Sequence, residues 1–230
     1  MEIGMKIVFD IDGTLTDFEA FIIENRNYIE EKYAISLTNF DGYDIDEMFD
    51  LQNKYNAYGR DIKDDFWNKY YLSYLMSGFR KGVKETFDKL TNEGYETIIV
   101  TSRNKTCDKN IVGKIVRYST IWKLRKERIR YNEIIFCQSD EAKLKCIEKM
   151  RPDIIVDDKV ELLNAVSEGI ERICIASGYN REGLKEGIFR ITGYEEDQVY
   201  NIIEGIRKKK KMHNNVTVAY PDLRKSERIY

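Results

Sequence analysis

The sequence predicts an α/β fold: a Rossmann-like parallel sheet with a helical segment inserted after its first strand. Three observations predict it. Short apolar runs, many rich in Ile and Val, alternate with helix-like stretches, the pattern of βαβ units whose strands are covered on both faces. Residues 17–79 break that alternation and differ in composition, with thirteen acids against six bases and fifteen of the chain's 28 aromatic residues. The length of 230 residues suits one large domain with an insertion and is too short for two full enzyme domains.

Taken in order, Met5 to Phe9 is the first strand, and the apolar alternation resumes after the insert. Lys84 to Asn92 reads as a helix closed by Gly94 in a C-terminal cap, then a strand from Thr97 to Val100. Ile111 to Arg128 is helical, Glu133 to Cys137 a strand, Asp140 to Met150 a helix, and Asp153 to Val156 a strand starting just after Pro152. Val160 to Ser167 gives another helix stopped by Gly169, and Arg172 to Ala176 a fifth strand. Five strands with right-handed crossovers make the sheet. The predicted organisation is a core of residues 1–16 and 80–206, a helical insert at 17–79, and a basic tail at 207–230.

Charge and residue inventory exclude several functions. The tail carries eight Lys and Arg against two acids, so residues 1–206 hold a net charge of −8 within a total of −2, which argues against nucleic acid as a partner. No apolar run reaches the roughly 18 residues of a membrane span, and the start lacks the apolar stretch of a secretory signal. Cys107, Cys137, Cys146 and Cys174 show no metal-ligand spacing, so the expected setting is reduced and cytoplasmic. The single histidine, His213, lies in the basic tail, which removes Ser-His-Asp and Cys-His catalysis and His-rich metal sites.

In open parallel sheets, ligands bind at the carboxyl ends of the strands, near the point where strand order reverses. Those ends gather Asp10 and Asp12 after the first strand, Thr101, Ser102 and Arg103 after the second, and Asp157 and Asp158 after the fourth. Lys143 sits in the first turn of the helix after the third. Carboxylates crowded in this way repel one another unless a cation lies between them, and oxygen ligands without His or Cys select a hard ion such as Mg²⁺. A lysine in a first helical turn opposes the helix dipole and calls for an anion beside it, a role that Asp10 and a bound phosphate would fill.

The stretch from Lys6 to Asp17, KIVFDIDGTLTD, closely resembles the first motif of the haloacid dehalogenase (HAD) superfamily of phosphohydrolases, an apolar strand followed by DxDGTLxD. Thr101 at a strand end resembles the second motif, Lys143 the third, and Asp157-Asp158 after Ile154-Ile155-Val156 the acidic fourth. The resemblance covers about residues 5–180 and places 17–79 where a C1-type cap lies, over a HAD-like core. It implies Asp10 as the nucleophile that becomes an aspartyl-phosphate, and Asp12 as the proton donor and acceptor, protonated when substrate binds. It further implies Thr101 with the Ser102 and Gly13 amides on phosphate oxygens, and Lys143 neutralising Asp10 and the transferring group. Mg²⁺ would be held by Asp10, the main-chain carbonyl of Asp12 and Asp158, with Asp157 direct or through water.

Two uses remain open for Arg103: binding a substrate phosphate, or pairing with an acid of the cap. In the cap, Phe66 and Tyr70, and likewise Trp67 and Tyr71, lie four residues apart and share helix faces. A packed cap core is one use for them and a base-stacking wall for Phe66, Trp67 and Tyr70 the other. The early helical insert and the Thr-Ser-Arg after the second strand look similar to the 5′(3′)-deoxyribonucleotidase branch and the HAD-like nucleotidases beside it. The expected activity is Mg²⁺-dependent hydrolysis of a small phosphorylated metabolite, a nucleoside 5′-monophosphate before a sugar phosphate. The alternatives are transfer to a second acceptor and a catalytically silent phosphate-binding regulator. The basic tail reads as a solvated helix end, with contact to anionic lipid or a protein partner as the other roles.

Overall fold

The computed structural model describes residues 4–42, 44–51, 54 and 59–218, the last six as backbone alone. Its centre is one parallel sheet in the order β3-β2-β1-β4-β5-β6, formed by β1 (Lys6–Phe9), β2 (Glu96–Thr101), β3 (Glu133–Phe136), β4 (Ile154–Asp157), β5 (Glu171–Ile175) and β6 (Phe189–Ile191). Alternation along the strands builds two cores. Ile7 and Phe9 of β1, Ile99 of β2, and Ile154 and Val156 of β4 face one side, against α4 (Val83–Asn92) and α8 (Gln198–Val218). Val8, Ile98, Val100 and Ile155 face the other, against α6 (Asp140–Met150) and α7 (Val160–Ala165). Each such side chain contributes about 1.5–3 kcal/mol by leaving water. A one-residue slip would exchange the two faces, so the register of Val8 on Ile98 and Ile155 is firmly set.

The sheet has six strands, not five. Phe189 to Ile191 is too short, and too interrupted by Arg190, to stand out as an apolar run, yet it pairs with Ile173–Ile175 of β5. Phe189 and Ile191 pack on the core, while the Arg190 guanidinium turns back to the carbonyls of Asn180 and Ser177. The strand is therefore made by its neighbour's open edge and one buried-face pair, not by local propensity.

Between β1 and β2 lie α1 (Phe18–Tyr33), α2 (Ile45–Phe49) and α3 (Ile62–Leu75). Each starts at an aspartate whose carboxylate accepts from the first turn: Asp17 from the Ala20 amide, Asp44 from those of Asp46 and Glu47, and Asp61 from that of Asp64. Their apolar faces close on one another in a third cluster centred on Ile22, Ile45, Phe49 and Phe66. The chain leaves and returns through a narrow neck, where Thr16 bridges Phe79 antiparallel and the Arg80 amide donates to the Leu15 carbonyl at 2.7 Å. At the other end, α8 runs through residue 207 without a break. Arg207 pairs with Glu204, and Lys210 with Asp153 at 2.7 Å. Residues 219–230 and the side chain of His213 lie outside the described residues.

Candidate active site

The rim is assembled by the ends of β1, β2 and β4, which are neighbours in the sheet. The Asp10 amide donates to the Val156 carbonyl at 3.0 Å, so β4 fixes where β1 ends. The chain then turns once, with the Leu15 and Thr16 amides donating to the Ile11 carbonyl. Gly13 is required in that turn: its φ is +77°, and a Cβ there would lie 2.4 Å from an Asp158 carboxylate oxygen.

Asp10, Asp157, Asp158 and Lys143 converge. The Lys143 ammonium, fully buried, lies 2.7 Å from Asp10 Oδ1 and 2.6 Å from Asp157 Oδ2. Asp157 Oδ1 accepts from the amides of Asp158 and Lys159, at 2.9 and 3.0 Å. Asp158 accepts from the Thr14 hydroxyl at 2.7 Å and from the Tyr179 hydroxyl. Burial pushes the Asp10 carboxyl up to about 7; Lys143 opposes that rise, and the neighbouring acids reinforce it. Burial, with Asp157, likewise pushes Asp158 up to about 6. For Lys143 burial works against the charge, but Asp10 and Asp157 outweigh it and hold the ammonium firmly protonated.

Three buried carboxylates face one ammonium, so the cluster carries an excess of negative charge that a divalent cation would balance. One ligand atom from each of Asp10, Asp157 and Asp158 lies within 4.8 Å of the others. An octahedral ion with bonds of about 2.0–2.1 Å spaces its ligands about 3–4 Å apart, so a small inward turn closes the set, and three oxygen donors suit Mg²⁺. The residues fit that ion.

Asp12 is placed differently. Its carboxylate points away from the cluster into the fork of Arg103, whose Nε donates to Oδ2 at 2.8 Å and whose Nη2 donates to Oδ1. The Tyr74 hydroxyl, from α3, donates to Oδ1 at 2.9 Å. Burial opposes its charge, yet Arg103 and Tyr74 hold Asp12 below the usual carboxylate range. Arg103 is buried and its third contact is the Thr120 hydroxyl at 3.1 Å, so its partner here is Asp12 and not an acid of the insert. Thr101 Oγ1 is buried at the rim and accepts from the Arg103 amide. The Ser102 hydroxyl donates to Asp140, which also pairs with Lys159. The Gly13 carbonyl accepts from Arg80 Nε and Nη2 at 3.2 and 3.0 Å, while Arg80 Nη1 holds Asp17 at 2.8 Å.

Asp10, Asp12, Thr101, Arg103, Lys143 and Asp158 floor a cavity of about 280 Å³ roofed by the insert, whose contribution is Phe18, Asp44, Trp67, Tyr71 and Tyr74. Of the three cap aromatics singled out from sequence, Trp67 lines the cavity. Phe66 is fully buried in the insert's own core, and Tyr70 stacks on it at 4.9 Å. One face of α3 is thus structural, while Trp67, Tyr71 and Tyr74 line the cavity, Trp67 and Tyr74 also packing against the insert's core. Tyr74 continues the Trp67–Tyr71 line by three residues, a signal present in the sequence. Arg80 and Tyr179 gave none, because their positions depend on the neck and on the turn after β5.

Residues 7–114 match the sequence profile of the family described as haloacid dehalogenase-like hydrolase. Among curated proteins, none matches the chain. Solved structures with a similar fold include a phosphonoacetaldehyde hydrolase-like protein from Oleispira antarctica, 15% identical with a TM-score of 0.55 over 90% of this chain and 94% of that one. A β-phosphoglucomutase from Clostridium difficile is 13% identical, with a TM-score of 0.54 over 90% and 99%. A haloacid dehalogenase-like family hydrolase from Streptococcus pneumoniae is 13% identical, with a TM-score of 0.57 over 87% and 100%. With a six-stranded parallel sheet bearing its acids at the strand ends, the chain shares the α/β fold of these structures, and its residues 7–114, just under half of it, are similar in sequence to the haloacid dehalogenase-like hydrolases.

Proposed function

We propose that the chain is a Mg²⁺-dependent phosphatase acting on a small phosphomonoester, with a nucleoside 5′-monophosphate as the substrate class. The observation that carries the reading is the pairing of Lys143 with Asp10 inside a cavity that is polar at its floor and aromatic at its roof. Asp10 attacks phosphorus, its carboxylate oxygen forms the new P–O bond, and the bond to the leaving oxygen breaks; water then hydrolyses the aspartyl-phosphate. Lys143 holds the attacking carboxylate in line and offsets charge on the transferring group. Bound at Asp10, Asp158, the Asp12 carbonyl and Asp157, Mg²⁺ would screen the phosphate's charge from the carboxylate that attacks it.

Asp12 serves both halves of the reaction by giving a proton to the leaving oxygen and later taking one from water. Its pairing with Arg103 and Tyr74 favours the anion, the form the second half needs. An arriving phosphate raises a neighbouring carboxylate's pKa and so favours the protonated form that the first half needs. Thr101 and the amides of Ser102 and Gly13 take phosphate oxygens. The insert, residues 17–79, acts as the cap that excludes water and sorts leaving groups.

The aromatic roof favours a flat leaving group: Phe18 and Trp67 stack with centroids 5.6 Å apart, and Trp67 meets Tyr71 edge-on at 6.1 Å. A sugar phosphate is the second reading, favoured by Asp44 and Asn104 on the cavity wall, which present the polar groups a sugar's hydroxyls would use. The test is phosphate release from a panel of nucleotide and sugar monophosphates with Mg²⁺, repeated with Asp10→Asn. Release that needs both Mg²⁺ and Asp10 is expected, with nucleoside monophosphates fastest. Release undiminished in Asp10→Asn overturns the mechanism, and no release from any member leaves the silent phosphate-binding reading in its place.

A further inference from the structure

One helix presents a large apolar line to the outside. On α5 (Ile111–Lys126) the inward positions Gly113, Val116, Thr120 and Leu124 are buried, whereas Ile111, Ile115, Tyr118 and Trp122 are 73%, 47%, 75% and 45% exposed. Their spacing of four, three and four residues sets them in one row along the helix. Leu72 of α3, the helix packed beside α5, and Met76 at its C-terminal cap are exposed as well. Contiguous apolar surface of this extent marks a contact.

Charge identifies the contact. Between Ile111 and Lys126 there are five bases and no acid; Lys123 is buried on Glu127 and Arg117 half-buried, which leaves Lys114, Arg125 and Lys126 exposed. Lys114 and Arg125 are exposed on one side of the apolar row and Lys126 on the other, its ammonium 5.1 Å from the Trp122 ring centroid. Arg128 continues the exposed basic edge beyond the helix, while Arg130 pairs with Asp88 at 3.0 Å. The acidic total of residues 1–206 conceals this concentration. A second copy across a two-fold axis would set the exposed Lys114, Arg125 and Lys126 against their own counterparts, which disfavours self-association.

We propose that α5 is a membrane-surface helix that docks the protein on anionic phospholipid, with the Ile111–Ile115–Tyr118–Trp122 row in the acyl boundary and the flanking bases at the phosphates. Trp and Tyr suit that boundary, since each joins an apolar ring to a polar group that reaches the headgroups. The helix lies on the surface and does not cross, because no described helix is long and apolar enough to span a bilayer. This inference stands on α5 alone and holds whatever the substrate.

The test uses the full chain with vesicles of equal phosphatidylglycerol and phosphatidylcholine, against vesicles of phosphatidylcholine alone. Only two tryptophans are present, so Trp67→Phe leaves Trp122 as the reporter. Co-sedimentation and a blue shift of Trp122 emission are expected with the anionic vesicles only, both weakened by added salt. Tyr118→Ser with Trp122→Ser, or Lys114→Glu with Arg125→Glu and Lys126→Glu, should each lower partitioning about tenfold or more. Unchanged melting and unchanged hydrolysis of a soluble substrate by the Tyr118→Ser, Trp122→Ser protein would show that the fold is intact. Three results overturn the proposal: no partitioning, partitioning equal on neutral vesicles, or a monomer–dimer equilibrium abolished by the same substitutions, which would assign the row to a second copy.

Discussion

Arg103 grips both carboxylate oxygens of Asp12, two residues past Asp10, and so favours the ionised form of the group proposed to transfer protons. Replacing this arginine by methionine keeps much of its packing against Thr120 and Tyr74 while freeing Asp12. The expected result is a loss of turnover of about tenfold to a hundredfold, concentrated in breakdown of the phosphorylated enzyme. Rapid-quench measurement of accumulated aspartyl-phosphate checks it; an intermediate that builds up no more than in the parent would show that Arg103 does not serve the second half.

Lys143 is the only cation in contact with the buried carboxylates Asp10 and Asp157 among the described residues. Lys143→Met leaves those charges unpaired, at a cost of about 3–5 kcal/mol. Thermal melts in EDTA should show a drop of about 10 °C or more, and Mg²⁺ should recover part of it. If the melting point stays at the parental value in EDTA, the buried pairing is not what holds this cluster together.

Acidity couples to metal in a definite direction. Asp10 is raised to about 7 and Asp158 to about 6, so the folded chain keeps protons that the unfolded chain has already released. Without metal, the contribution of these two groups to stability therefore falls as pH rises from about 4 through 7 and is lost above that window. Mg²⁺ competes with those protons, so the rise in melting temperature it gives should be larger near pH 8 than near pH 5.5. Melts at both pH values, with and without the ion, decide this; a shift independent of pH would remove the carboxylate cluster as its site.

Adjacent residues of α3 should divide stability from selectivity. Phe66→Ala empties the middle of the insert's core and should cost about 3–5 kcal/mol. Trp67→Ala, which removes a ring that packs on that core and also lines the cavity, should lower melting less than Phe66→Ala and raise KM for nucleoside monophosphates more than for a simple aryl phosphate. Steady-state kinetics on the two substrates beside a melt of each variant test the pair; equal KM changes on both substrates would remove Trp67 from recognition of the base.

Much of this was legible in the sequence, for a physical reason. Strands buried on both faces must be continuously apolar, so runs such as Ile154-Ile155-Val156 announce themselves, and acids directly after such runs can only sit at the rim. β6 was hidden because three residues carry too little pattern to rise above their flanks. The partner of Arg103 was hidden for a different reason: the choice between a phosphate, an acid of the insert and Asp12 depends on where a side chain swings across the mouth of the sheet. α3 was half legible, since spacing divides its aromatics into two faces but does not say which one meets the cavity.

The neck at Thr16 and Phe79 is narrow, and beside it Arg80 ties the Gly13 carbonyl to Asp17. Any rocking of the helical lobe is thereby transmitted to the backbone between Asp12 and Thr14, within one residue of the acid proposed to handle protons. Tyr74 adds a second linkage from the lobe to that same acid. On the proposed mechanism, seating of the ligand's far end and readiness for bond breaking would in this way be mechanically geared, so a poor ligand that leaves the lobe ajar would also leave the proton relay out of alignment.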